Sequence, residues 1–428
     1  MTPSVLPGPD TKVPYGIPNQ RHERVAVYTN TVPGGFVRAP GEVQIAFATE
    51  SAIDLIARKL GIDPLELRLL NAAQEGDLDI EGHPFLAPGA VAVLETLKRE
   101  SNWATPLPAG RGRGLALSVR HIGVGATSLH VELGSDGDVT VRTGTTEQGM
   151  GIFTVLSRVV AAELGLPENR IHVTRGSTAE APLDPGVGAS RTTHVSGGAA
   201  LDGCRQLRDA LEAAACTLAQ QQPGTMRLRD GSFRSPDGAA TVAWNDAAAE
   251  VCRAHGGTLT MTGTYSGEHA PGEPEYNNFA GYIIEVSVDR ETGEYVIHDV
   301  WLCCDTGTII NPVAHRGQID GGFLMGLGMA VTEELVLEEG RITNLSFADY
   351  KVPTQPDMPP FHVTILEETT GPGPFGARAV GEMNISTVGP ALANAIEAAC
   401  GVRLATMPLT AERIFTAIRG SSTSEVYS

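Results

Sequence analysis

Four segments of this 428-residue chain carry residue types that could do chemistry. The first is Gly376-Ala-Arg-Ala-Val-Gly-Glu-Met-Asn-Ile385, where Glu382 stands in a small, apolar, glycine-bounded stretch shortly before a helix expected from Val388. A carboxylate enclosed in such a place is desolvated, and desolvation tunes it toward general-base work. The plainer reading is a carboxylate that favours a helix N-terminus, and the local sequence alone leans that way. Two further segments, Gly144-Thr-Thr-Glu-Gln-Gly-Met-Gly151 and Gly186-Val-Gly-Ala-Ser-Arg-Thr192, mix glycines with hydroxyls just ahead of expected helices. Loops of this kind aim backbone N–H groups outward and cradle anions or phosphates; as tight connecting turns they need no ligand. The fourth is Gly35-Phe-Val-Arg-Ala-Pro-Gly41, which sets Arg38 at a loop-to-helix junction. There it is either a packing arginine or a bidentate clamp for a substrate oxygen or heteroatom.

Other signals fall away. Gly371-Pro-Gly-Pro-Phe-Gly376 satisfies the dinucleotide glycine pattern, but its prolines and its lack of a flanking strand and helix make the match spurious. The chain has no phosphate-binding loop, nucleophile elbow or zinc-protease helix motif, and its 11 histidines are too scattered for a zinc site. Its 6 cysteines form no CxxC pair, which fits neither a disulfide scaffold nor an iron–sulfur cluster and makes a reducing cytoplasm the simplest home. With 31 basic against 50 acidic residues, a net charge of −19 argues against nucleic acid as a partner. The N-terminus has no basic stretch ahead of an apolar core, and no apolar run nears the roughly 20 residues a membrane span needs.

The elements that must position these segments read as a mixture. A strand is expected over Val25–Tyr28, then a turn at Pro33-Gly-Gly35, then a helix from Gln44 to Leu60 stopped by Gly61. Asp63-Pro64-Leu65-Glu66 offers a cap, a first-turn proline and a capping-box glutamate. A Pro-containing linker over Ser101–Gly110 marks a domain boundary. Alternation around Asp136-Gly137 signals a hairpin, followed by the first glycine loop and a helix to Leu164. Tyr282–Glu334 echoes that plan: a hairpin at Thr292-Gly293, then a loop with Asp305, Asn311 and Gln318 leading into the glycine-rich run from Gly321. Between them a helix is expected over Leu201–Gln222 and a surface hairpin over Met226–Val242. Antiparallel hairpins mixed with helices point to an α+β fold rather than a doubly wound sheet.

Taken in order, the segments resemble the C-terminal half of the molybdopterin-binding catalytic subunit of the xanthine dehydrogenase and aldehyde oxidase family of molybdenum hydroxylases. The resemblance runs through Tyr28–Gly41, Asp63–Arg68 with Asn71, Thr143–Gly151 and Gly188–Arg191. It continues through Asp305–Pro312, Gly317–Gly322, Asp349-Tyr-Lys351, Ala379–Glu382 and Asn394-Ala-Ile396. It covers nearly all of 13–415. It implies an elongated multi-domain α+β fold that buries a molybdenum–pterin cofactor between domains, with the metal held through the pterin rather than by side chains. Glu382 falls on the family's catalytic glutamate, which takes a proton from the water-derived oxygen that attacks an electron-poor carbon. Arg38 falls on an arginine that places or polarises substrate. Ala39, Gln148, Gly149, Met150, Gly151, Ala189, Ser190, Arg191 and Gln318 fall on segments that contact the cofactor, expected in its cytosine dinucleotide form. Met150 departs from the family's usual glutamine and cannot make that residue's polar contacts; Gln148 is the candidate to compensate.

The upstream portion of the usual subunit is absent, and Met1 reads as a genuine start. The resemblance therefore implies a second polypeptide supplying that half, together with a 2Fe-2S subunit and in many members an FAD subunit. The expected division is a lead-in over 1–12, a first cofactor-binding segment with the Arg38 loop over 13–108, and an α+β domain with the glycine loops over 109–275. A second α+β domain with Gln318 and Glu382 covers 276–420, and a tail covers 421–428. The implied substrate is an N-heteroaromatic (purine or nicotinate-like) or an aldehyde. Carbon monoxide oxidation, aryl-thioester reduction, or a scaffold that kept the fold without the chemistry are the alternatives.

Overall fold

In the computed structural model of the chain, residues 12–424 are described, apart from 24, 26, 32, 33, 178, 183, 269–271, 368 and 369. The expected lead-in is thus outside the described residues except for Lys12, as are residues 425–428 of the expected tail; a last helix runs on through Ala411–Ser424. Val25, Val27 and Tyr28 lie in no strand and are exposed, so the expected strand there is not formed; Ala26 and Pro33 of the expected strand and turn are outside the described residues.

Two mixed sheets organise the molecule, built to one plan. In the first, the hairpin Gly125–Gly134 with Val139–Thr143 gains Thr258–Gly267 antiparallel on its first strand and Ile171–Arg175 parallel on its second. In the second, the hairpin Glu275–Val288 with Tyr295–Asp305 gains Arg111–His121 antiparallel on its first strand and Phe361–Leu366 parallel on its second. A helix joins second strand to parallel neighbour in each case, Ile152–Leu164 in one and Pro312–Val331 in the other. A later helix, Thr192–Leu218 or Val388–Cys400, then packs on its sheet. The echo read from sequence is therefore a repeat of topology. It needs help from out-of-order segments: Arg111–His121, which the expected division groups with 109–275, pairs with the other sheet, and helix Ala90–Glu100 shares a core with that sheet too.

Each packing helix approaches its flanking strand through glycine. A Cβ on Gly114 would lie 2.1 Å from the Ala395 nitrogen and 2.2 Å from the Ala391 oxygen of Val388–Cys400. A Cβ on Gly263 would lie 2.0 Å from the Ala199 oxygen of Thr192–Leu218. Backbone-to-backbone contact this close excludes any side chain.

Local signals explain most helix ends. Gly61 adopts a left-handed cap at φ 66° after Glu42–Leu60, and the Asp63 carboxylate accepts the Leu65 and Glu66 N–H groups at 2.8 and 3.1 Å, with Pro64 in the first turn. Glu66 does not complete a capping box; it pairs with Lys98 at 2.6 Å instead. Arg68, fully buried, explains the arginine of this motif: it binds Glu50 at 2.8 Å and Asp54 at 2.6 Å, joining Pro64–Asn71 to Glu42–Leu60. Two helices start earlier than expected. Thr192–Leu218 begins nine residues ahead of Leu201 and ends before Gln222, and its added turns carry Gly197 and Gly198, which sit against Pro374 and Tyr265. Gln318 lies not in a loop but in Pro312–Val331, started by the Asn311 cap and Pro312. The expected surface hairpin is three short strands, Arg227–Arg229, Ser232–Arg234 and Thr241–Ala243.

Gly114→Ala should destabilise the chain by about 3 kcal/mol or more, because the clash is with helix backbone. Gly317→Ala, in a helix with open space at its Cβ, should stabilise it by up to about 1 kcal/mol. Denaturant unfolding of both variants checks the opposite signs.

Candidate active site

The shared plan brings equivalent loops together. The loop ahead of Ile152–Leu164 meets the start of Pro312–Val331, where a Cβ on Gly151 would lie 2.7 Å from Ala314 Cβ. The loop ahead of Thr192–Leu218 meets the loop ahead of Met383–Ser386, and Ser190 Oγ donates to Glu382 Oε2 at 2.8 Å. Between these contacts lies a cavity of about 830 Å³. Residues from the first turns of three helices line it: Ile152, Thr192 and Thr193, and Ala314 and His315. Helix N-termini pointed at one space make it favourable for negative charge.

Glu382 is tightly held, its side chain only 13% exposed. Besides Ser190, Oε2 accepts from Arg120 Nη2 at 2.8 Å, whereas Oε1 has the Ala39 N–H at 3.2 Å. Arg120 is itself buried and shared, since its Nη1 donates to the Glu42 carboxylate. Burial works against the charge on Arg120, but Glu42 and then Glu382 outweigh it, so its pKa is raised. Arg38 donates from Nε to the Gly381 carbonyl and from Nη2 to the Gln318 carbonyl at 2.8 Å. Its pKa is lowered by burial, against the pull of Tyr282 and Glu382. Ala39, Ala189 and Ser190 all sit in the left-handed region, at φ 56°, 51° and 52°. Non-glycine residues there store strain of about 1 kcal/mol or more each, so the contacts around Glu382 are over-determined.

Of the residues singled out from sequence, Arg38, Gln148, Met150, Ala189, Ser190, Gln318 and Glu382 line this cavity, and Ala39 reaches it through its N–H bond to Glu382. Arg191, Gly149 and Gly151 do not line it. Arg191 folds back on its own loop, donating to the Gly186 carbonyl at 2.6 Å. The N–H groups of Gly149 and Gly151 are taken by the Glu147 carboxylate at 2.8 and 3.0 Å. Burial would raise the pKa of Glu147, but these N–H groups and those of Phe153 and Met150 hold it below the usual range. The loop's own carboxylate thus occupies donors expected to face a ligand. Met150 packs against the core of the first sheet.

Three residues at the site were not anticipated. Arg120 interrupts the apolar strand residues Leu115–Ile122, a pattern that signals a buried partner without naming it. Glu42 reads as an ordinary first-turn acid. His315, whose Nε2 lies 3.3 Å from Thr306 Oγ1, has its pKa pushed down to about 4 by burial and is neutral at neutral pH.

The residues present fit a molybdenum–pterin group. The cavity has room for it, the N-terminus of Thr192–Leu218 at its wall favours an anionic end, and buried Arg120 Nε has no hydrogen-bond partner in the structure. Among the described residues no group of three His, Cys, Asp or Glu side chains could hold a metal directly.

Comparison with known proteins agrees. A family model described as molybdopterin cofactor-binding domain matches residues 92–359, and a second of the same description matches 7–72. The aldehyde oxidoreductase molybdenum-binding subunit PaoC of Escherichia coli strain K12 is 31% identical over 407 residues, which is 92% of this chain and 54% of that protein. The xanthine dehydrogenase molybdenum-binding subunit of Escherichia coli O157:H7 is 30% identical over 410 residues, 91% of this chain and 54% of that one. The aldehyde oxidoreductase of Desulfovibrio desulfuricans ATCC 27774 superposes with a TM-score of 0.78 at 26% identity, over 95% of this chain and 44% of that one. The chain spans about half the length of the curated relatives it matches. It belongs to the molybdopterin cofactor-binding domain family and is similar to molybdenum-binding subunits of a xanthine dehydrogenase and an aldehyde oxidoreductase.

Proposed function

We propose that the chain supplies the catalytic base, Glu382, and one wall of the cofactor cavity to a molybdenum hydroxylase that oxidises an electron-poor carbon with oxygen from water. The observation that carries this reading is the placement of Glu382 in the wall of the cavity with its two oxygens unequally engaged. Oε2 is anchored by two side-chain donors, so Oε1, with one long backbone bond, is the atom that takes the proton. The bound molybdenum–pterin group supplies the electron acceptor and the place where water is activated.

Around that group, the backbone N–H groups at the start of Thr192–Leu218 would hold its phosphate, and the Gln318 and Gln148 side chains, which line the cavity, would contact the pterin. A cytosine dinucleotide extension fits the same polar end. Met150 contributes only packing. Arg38 places substrate, and its bonds to the Gly381 and Gln318 carbonyls give it a second task, fixing the peptide that carries the base. Phe36, Val37, Val187 and Ile310 line the cavity and suit a flat or small apolar substrate, an N-heteroaromatic or an aldehyde. Both classes appear in the names of the relatives.

A second polypeptide completes the subunit, and electrons leave through 2Fe-2S and FAD groups on partner subunits. All 6 cysteines are free and buried, which suits a reducing cytoplasm; among the described residues no helix is long and apolar enough to cross a membrane. The rival reading, a scaffold without chemistry, rests on Met150 alone.

Glu382→Gln should keep its molybdenum and assembly yet lose turnover of aldehyde or purine substrates by about 10³-fold. Near wild-type kcat in that variant would sink the base assignment. Pull-down of the tagged chain should recover a second polypeptide homologous to the other half of the relatives, whereas an active monomer of this chain alone would refute the split. The His315 imidazole, pushed down to about 4, must stay neutral in the fold while the unfolded chain protonates it near pH 6.5. Its contribution is therefore intact above the unfolded value and is lost as pH falls from 6.5 toward 4, by at most about 3 kcal/mol. His315→Gln should lose less of its Tm than the wild type between pH 7 and 4.

A further inference from the structure

The base does not face its arginine alone. Arg120 lies between two carboxylates, Nη1 on Glu42 and Nη2 on Glu382, and it is 6% exposed. Glu42 is equally buried, at 6%, in the first turn of Glu42–Leu60. The nearby Arg38 is committed to two backbone carbonyls. Ser190 and the Ala39 N–H, the other groups on Glu382, are neutral donors.

A base must change its charge to work. When Glu382 takes a proton its carboxylate becomes a neutral carboxylic acid, and any cation paired with it loses its counter-ion. For a guanidinium this deeply buried that loss is severe, because an unpaired charge in the interior costs several kcal/mol. An arginine paired with Glu382 alone would therefore oppose the proton transfer. A second carboxylate removes the obstacle: Arg120, Glu42 and Glu382 together pass from one net negative charge to zero, and at no point is Arg120 without an anion. Glu42 also ranks ahead of Glu382 in raising the pKa of Arg120, as expected of the standing partner.

We propose that Glu42 is a positioning residue for the base: as the permanent counter-ion of Arg120, it lets Arg120 orient Glu382 without penalising the protonation of Glu382. The inference rests on Glu382 being the base and adds a requirement that this reading does not contain. Charge alone makes the prediction unusual, since a second lesion should partly repair the first.

The test is steady-state kinetics of the purified complex on one aldehyde and one purine, with molybdenum content and Tm measured for every variant. Glu42→Gln strands Arg120 on Glu382, and kcat should fall about tenfold or more with KM nearly unchanged. Glu42→Gln combined with Arg120→Gln removes the stranded cation and should recover part of that loss, the remainder being the orientation that Arg120 gave to Glu382. Glu42→Asp keeps the charge and should retain most of kcat, even if Glu42→Gln folds poorly. Wild-type kcat in Glu42→Gln, a double variant no faster than Glu42→Gln, or a loss in Glu42→Asp as deep as in Glu42→Gln would each overturn the proposal. None of these results bears on Glu382→Gln, whose activity decides the base reading separately.

Discussion

The contact between Ser190 and Glu382 is the interaction on which this structure turns. It joins the loop ahead of one packing helix to the corresponding loop of the other sheet, residues 192 positions apart in the chain. Ala39 and Arg120 then bring two more distant segments to the same carboxylate. Four stretches of chain that never meet in sequence thus share one buried anion. A charge in that setting is tolerable only when donors surround it, so the folding of each stretch depends on the others. Site and fold are not separable layers here, since the polar centre is also the seam between the two sheets.

The seam exists because one topology is used twice. Each sheet sends a loop from the end of its hairpin into a helix, and each later helix sits hard against a flanking strand through Gly114 or Gly263. Where the loops of the two sheets meet, the first turns of Ile152–Leu164, Thr192–Leu218 and Pro312–Val331 line a common space. Glu147 shows the field of a helix start at work within the protein, its carboxylate held by the N–H groups of Gly149 and Gly151.

How much of this could be read in the sequence follows from the range of each signal. Short-range chemistry was legible. Asp63-Pro64 announced a helix start, Gly61 a stop, and Asp136-Gly137 and Thr292-Gly293 their hairpins, because each depends on a few neighbouring residues. Even the repeated plan was visible from the order of hairpin, loop and helix. The starts of Thr192–Leu218 and Pro312–Val331 were less legible, since the tight neighbours of Gly197, Gly198 and Gly322 within them, Pro374, Tyr265 and Asn384, lie far off in sequence. At the site, Glu382 and Arg38 could be picked out only by the ordered resemblance. Arg120 could have been suspected as a cation in an apolar strand, but nothing local selects Glu42 and Glu382 from 50 acidic residues.

The strained backbone at Ala39, Ala189 and Ser190 bears on why this carboxylate is so firmly placed. Each of the three residues either contacts Glu382 or adjoins one that does, and each holds a conformation that costs energy in isolation. Such strain persists only when surrounding bonds are strong enough to impose it. An Oε1 kept at 3.2 Å from a strained N–H, rather than closed into a short bond, remains available to a proton donor in the cavity. Fixing Oε2 while leaving Oε1 lightly engaged is what pre-organisation would require of Glu382 in the proposed role of base, because the geometry needed at the moment of transfer is already set in the ground state.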